Sequence, residues 1–157
     1  MADGSVQSTD IWPLPAFHFQ VFFLDVGLTG VDSAFQDISG IGSQIETEEY
    51  REGGSDNFVY HLPKSVKFSN LVLKRGICSV SSPLMLWCQD FFTEGFSSLT
   101  LRDLSILLLD EKGFAVRTWH FIGAYPVNWK IDSFNSTKNE VAIEEIELCY
   151  NHSFRIL

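Results

Sequence analysis

The chain has 157 residues, 45% of them hydrophobic and 14% aromatic, which is the composition of one folded domain and excludes disorder over most of its length. Eleven Lys and Arg against 20 Asp and Glu leave a formal charge of −9. That balance argues against sequence-independent binding of nucleic acid or of an anionic membrane, both of which need a basic face, and it keeps free subunits soluble.

Residues 1–15 read as an extended arm, followed by a single β domain over residues 16–157. The opening MADGSVQSTD has neither a basic nor an apolar region of the kind that marks a signal peptide, so synthesis in the cytoplasm is expected. No apolar run approaches the ~20 residues of a bilayer span, so no direct membrane anchor is expected. Pro13 and Pro15 bracket Leu14 and impose an extended path. The arm carries the large apolar Trp12.

From Phe17 the pattern is period two. Phe17, Phe19, Val21 and Phe23 alternate with His18, Gln20 and Phe22, as in a strand with one buried face. A polar stretch over Gly27–Ser33 turns the chain. Phe35 to Tyr50 is a mixed segment that ends in a run of acids, Glu46, Glu48, Glu49 and Glu52, with Tyr50 and Arg51 among them. Gly53 and Gly54, followed by Ser55, Asp56 and Asn57, form a strong turn signal. Alternation resumes with Phe58, Tyr60 and Leu62 against Val59 and His61. The whole reads as a long protruding β-hairpin with its tip near Gly53. After Pro63 come Val66, Phe68, Leu71, Val72 and Leu73, closing on Lys74-Arg75-Gly76.

One helix is expected. Ser82 suits an N-cap and Pro83 the first helical position. Leu84, Trp87, Cys88 and Phe91 keep the spacing of one buried stripe, packing on the sheet, and Gly95 stops the helix. Leu104, Ile106 and Leu108 then lead into the turn Asp110-Glu111-Lys112-Gly113. Val116 to Phe121 returns, and Tyr125 to Trp129 reads as a separate short run. In the last strand Val141 and Ile143 share one phase, whereas Ile146, Leu148 and Tyr150 share the other. A strand changes face only by adding a residue, so a β-bulge is expected at Glu144-Glu145. The fold class is mainly β, an antiparallel sandwich or barrel with one flanking helix.

Chemistry finds little support. His18, His61, His120 and His152 are isolated, and no zinc spacing, nucleophile elbow or phosphate loop is present. No catalytic residue, metal or cofactor is expected. Cys78, Cys88 and Cys149 have no CxxC spacing and read as buried free thiols in a reducing compartment. The acidic run is a solvated hairpin tip or a docking surface for bases on another copy, with Lys64, Lys67, Lys74 and Arg75 as the candidate bases.

The order of these segments carries a resemblance. FHFQVFF, FQDISGIGSQIETEEYREGGSDNFVYHLP, LVLKRG, the lone helix with its Trp, LLLDEKG and IEEIEL together resemble the tail-tube family. That family covers the inner tubes of contractile-tailed phages and phage-tail-like injection systems; EYREGG at Glu49–Gly54 and LKRG at Leu73–Gly76 are its strongest marks here. The resemblance implies a structural subunit, not an enzyme. It implies homo-hexameric rings stacked into a hollow tube, with strands of neighbouring subunits joined into a barrel around the lumen through which cargo or DNA passes. Partners would be paralogous tube subunits, sheath and baseplate proteins, without sequence-specific nucleic acid, in a particle that can be released from the cell. The subunit would be the main tube or a baseplate-proximal initiator. Contacts between subunits or rings are expected at Glu46, Glu48, Glu49, Tyr50, Arg51, Glu52, Gly53, Gly54, Lys74 and Arg75. The alternative is a stand-alone β-barrel that binds a small apolar ligand, which requires a closed sheet around an internal cavity.

Overall fold

Alternation of apolar and polar residues gives ten strands and one helix in a computed structural model that describes residues 19–24, 31–32, 35–54, 58–77, 82–95, 100–133, 137 and 141–156. The arm with Trp12, Pro13 and Pro15, Phe17 and His18, most of the turn over Gly27–Ser33, the tip residues Ser55, Asp56 and Asn57, and Cys78 lie outside the described residues. The strands are β1 (Phe19–Phe23), β2 (Val31–Asp32), β3 (Phe35–Ser39), β4 (Ser43–Arg51), β5 (Val59–Phe68), β6 (Leu71–Gly76), β7 (Arg102–Leu109), β8 (Ala115–Ile131), β9 (Ile143–Cys149) and β10 (His152–Arg155), with α1 (Pro83–Glu94) between β6 and β7. The main sheet is antiparallel in the order β2-β1-β7-β8-β9-β6-β3, with β10 also paired to β8, and β4 and β5 form a separate two-stranded hairpin.

Among the described residues the sheet does not close into a barrel. It folds over at β8, which joins into one strand the two runs expected over Val116–Phe121 and Tyr125–Trp129. Its first part lies between β7 and β10, and from Tyr125 to Ile131 it pairs with β9. The bend sits at Gly123, whose φ of 65° is a left-handed conformation that glycine adopts without strain. The Gly123 N–H donates to Asp103 Oδ1 at 2.8 Å, and the β7 register shifts there between Arg102 and Leu104. Folding over brings Val21, Phe23, Leu104, Ile106 and Phe121 from one half against Leu71, Leu73, Ile146 and Leu148 from the other, in a single buried cluster.

The helix begins and ends on its own sequence signals. The Ser82 hydroxyl accepts from the Met85 N–H at 3.4 Å, Pro83 follows at the first position, and Gly95 ends the helix at φ 64°. Its buried residues are Leu84, Trp87, Cys88 and Phe91. Trp87 meets Phe23 edge-on with centroids 5.9 Å apart, and its indole N–H donates to the Thr100 carbonyl at 3.2 Å. Burial, with a smaller push from the Glu144 charge, raises the Cys88 thiol to about 12, so it stays protonated as a packing group. Cys149 is only half-buried, on the outward side of β9, unlike the interior thiol expected there.

The bulge expected at Glu144-Glu145 does not form. The register between β6 and β9 runs unbroken from Leu71↔Leu148 to Gly76↔Ile143, and the irregularity falls on the neighbouring β8, between Pro126 and Asn128. No change of phase is needed, because Glu144 itself points inward with Ile146 and Leu148 and is 3% exposed. A buried carboxylate is tolerated only with partners, and Glu144 has them. Arg75 Nε donates to its Oε2 at 2.9 Å and Trp129 Nε1 to its Oε1 at 2.8 Å, while Arg75 Nη1 reaches the helix cap Ser82 Oγ at 2.8 Å.

Gly40 sets the root of the hairpin. It has φ +87°, and a Cβ there would come 1.9 Å from the Asn70 backbone oxygen. Gly40→Ala is expected to lower stability by at least about 1–3 kcal/mol from the conformation alone. Urea unfolding followed by circular dichroism measures it; an unchanged midpoint would show that the root relaxes.

Candidate assembly interface

The β4–β5 hairpin is tied down at its base and bare along its length. At the base, Ser69 N–H donates to the Gly42 carbonyl at 3.4 Å, and the Phe68 ring lies 5.6 Å from Tyr150 and 5.3 Å from His152. Pro63 sits inside β5, where a two-stranded ribbon permits it, next to a register shift between Glu46 and Thr47. Beyond the base both strands are exposed, apart from the partly covered Glu46 and Phe68.

Cross-strand partners share a face, so the pleat divides the acidic run. One face carries Glu46 beside Ser65, Glu48 beside Leu62 and Tyr50 beside Tyr60; the other carries Ile45 beside Val66, Glu49 beside His61 and Arg51 beside Val59. Apolar residues are open on both faces, with Tyr50 55%, Ile45 59% and Val66 56% exposed. A monomer gains nothing from exposing so many large side chains on a protruding ribbon, and such contiguous exposure makes the ribbon the candidate contact surface. Tyr50 is among the residues expected at a contact from the sequence; Ile45, Tyr60, Leu62 and Val66 are not, although all four were legible as strand formers. What the alternation could not tell was that neither face meets the core.

The expected bases are largely committed within the subunit. Lys67 pairs with Glu46, which also accepts from Ser65 Oγ at 3.0 Å; these two bonds, Lys67 first, hold the exposed Glu46 carboxyl below its ordinary range. Lys74 lies 3.4 Å from Glu145 and stays partly exposed. Arg75 was expected at a contact with another copy. It is 1% exposed and bonded to Glu144, because alternation in β6 turns it inward with Leu71 and Leu73. Glu52, Gly53 and Gly54 are exposed at the tip.

Two strand edges matter as well. Among the described residues, β3 pairs only with β6, and the second part of β8 (Tyr125–Ile131) pairs only with β9. They are the two rims of a four-stranded unit, β8-β9-β6-β3, and each presents unpaired backbone groups. A groove of about 440 Å³, lined by Phe91, Phe92, Gly95, Tyr125, Pro126 and Val127, runs beside the β8 rim.

The family model described as T4-like virus tail tube protein gp19 matches residues 15–153. A solved chain from the baseplate of the anti-feeding prophage, determined with 6-fold symmetrisation, is 29% identical, with a TM-score of 0.82 over 92% of this chain and 96% of that one. A chain from the sheath–tube complex of the PVC extracellular contractile injection system is 23% identical, with a TM-score of 0.77 over 98% of each chain. Hcp1 from Flavobacterium johnsoniae shares the fold at 11% identity and a TM-score of 0.56, covering 89% of this chain and 95% of its own. No curated protein sequence matches the chain.

Proposed function

The chain belongs to the family of the T4-like virus tail tube protein gp19, and from that premise we propose that it is a structural subunit of the inner tube of a contractile injection particle. Six copies form a ring, with β3 of one copy joined to the second part of β8 of the next. Rings stack through the β4–β5 hairpin, whose Glu46, Glu48, Glu49, Tyr50, Arg51, Glu52, Gly53 and Gly54 lie against the adjacent ring, and cargo passes along the lumen. Its activity resides in these interfaces and needs no cofactor. Sheath and baseplate proteins are its partners, and the assembled particle can act outside the cell that made it. The alternative of a small-ligand barrel needs a closed sheet, and the open order of the strands among the described residues favours the tube reading over it.

The observation that carries the proposal is the hairpin itself, anchored by Phe68 and Gly42 at its base and exposing Ile45, Tyr50, Tyr60, Leu62 and Val66 along its length. An exposed strand with no contact to the core adds little to subunit stability, so changes there should cost under about 0.5 kcal/mol. The combined variant Tyr50→Ser, Leu62→Ser is expected to fold with an unchanged circular dichroism spectrum and to give single rings in place of tubes by negative-stain microscopy. Tubes of normal length would remove the hairpin from ring stacking. Reversing Glu48, Glu49 and Glu52 to Lys in a separate variant measures the share of charge in the same contact.

A further inference from the structure

The outward face of the four-stranded unit carries one row of side chains that crosses it from rim to rim. In β9 the inward residues are Glu144, Ile146 and Leu148, so Glu145 faces outward. In β6 the inward residues are Leu71, Leu73 and Arg75, so Lys74 faces outward. The register places Asp37 of β3 across from Lys74, Lys74 across from Glu145, and Glu145 across from Lys130 of β8. Directly opposed residues share a face. The row therefore reads acid, base, acid, base.

Three of its four members are already in contact. Glu145 lies 2.9 Å from Lys130 and 3.4 Å from Lys74. Hydrogen bonding to Lys130 holds the Glu145 carboxyl below its ordinary range, and the same bond raises Lys130. The end members sit on the two strands that have a bare rim: Asp37, exposed, on β3 and Lys130, exposed, on β8.

The unit has an even number of strands, each antiparallel to the next, so its two rims run in opposite directions. A copy placed beside another can thus add β3 to β8 as one more antiparallel pair, the arrangement with well-formed ladder bonds. The row then continues without a break in sign, because the base that ends one subunit meets the acid that begins the next.

We propose that where the β3 rim of one copy meets the β8 rim of the next, Lys130 of one subunit pairs with Asp37 of its neighbour to close a belt of alternating charge around the ring. The belt sums to zero in each subunit, whatever the number of copies. It sets register: a slide by one residue turns every side chain of the added strand to the other face. It also leaves that level of the lumen wall without net charge, so neither basic nor acidic cargo is held there. The inference rests on the edge-to-edge ring proposed above and adds its register and its specific contact.

Cross-linking tests it in the assembled particle. Opposed residues on adjacent strands have Cβ atoms ~4.5–5.5 Å apart, close enough for a disulfide after a small adjustment. The variant Asp37→Cys, Lys130→Cys, oxidised after assembly, is expected to give a non-reducing ladder that ends at the ring size, and neither single variant should give a ladder. Rings in micrographs with no ladder would overturn the belt while leaving the ring intact. Absence of rings from the unmodified chain would overturn the ring itself. A second variant inverts the whole row (Asp37→Lys, Lys74→Glu, Glu145→Lys, Lys130→Glu). It is expected to assemble with itself and to be excluded from rings of the unmodified chain, since like charges would meet at each mixed junction. Free mixing of the two in labelled rings would overturn the belt.

Discussion

Arg75→Ala is expected to cost about 3–5 kcal/mol of folding stability, because it leaves a buried carboxylate without its counter-charge. Glu144 is 3% exposed, and the Arg75 guanidinium supplies its ionic partner at 2.9 Å while also bonding the Ser82 cap of α1 and lying over the Phe35 ring at 5.7 Å. One side chain thus ties β9, the start of the helix and rim strand β3 to β6. A domain is commonly stable by about 5–15 kcal/mol, so the loss would remove much of the total. Replacing both partners, Arg75→Met with Glu144→Leu, should recover a large part of it, since apolar groups of similar volume need no desolvation. The Trp129 indole N–H, partly exposed, can then turn to water. Urea unfolding of the single and double variants decides the matter. A single variant that loses less than about 1 kcal/mol would mean that water or another donor takes the place of the guanidinium beside Glu144.

Trp87→Ala is expected to cost about 3–5 kcal/mol, the usual range for emptying a buried aromatic site. The ring is 4% exposed and fills the space between α1 and β1 against Phe23, with the Arg102 guanidinium 5.6 Å from its centroid. Trp87→Phe keeps the contact with Phe23 and gives up the bond to the Thr100 carbonyl, so a loss of about 1 kcal/mol is expected from that bond. Thermal or urea unfolding of the two variants separates packing from hydrogen bonding. Equal losses would show that the polar contact dominates.

The acidic cluster shows where reading a sequence stops. Glu46, Glu48, Glu49 and Glu52 look like one feature along the chain, yet the pleat puts Glu46 and Glu48 on one face and Glu49 on the other, and Glu46 is already paired with Lys67. Alternation alone separates Glu49 from Glu46 and Glu48; what needed the paired strand is the register that brings Lys67 and Ser65 to Glu46. The apolar side chains of the same hairpin were visible as strand formers, but alternation has the same appearance whether the inner face meets a core or another molecule.

Local physics decided what the sequence determined by itself. Strands followed from period-two alternation, because a pleated backbone sends neighbours to opposite faces. The helix followed from Ser82, Pro83, Gly95 and a single apolar stripe, because an acceptor satisfies one of its first N–H groups, proline costs nothing where the N–H has no partner, and glycine takes the positive φ that ends it. The hairpin tip followed from Gly53-Gly54, and the turn at Asp110–Gly113 closes with Gly113 N–H on the Asp110 carbonyl at 3.0 Å. Tertiary structure alone decided the rest. It joined the two runs of β8 through the bend at Gly123, turned Glu144 inward where a bulge had been expected, and moved Arg75 from the surface to the interior. Glu144 and Arg75 stand 69 residues apart, and each would be misplaced in the core without the other. Burial of a charge is a property of the pair, and no local pattern in a single strand can announce it.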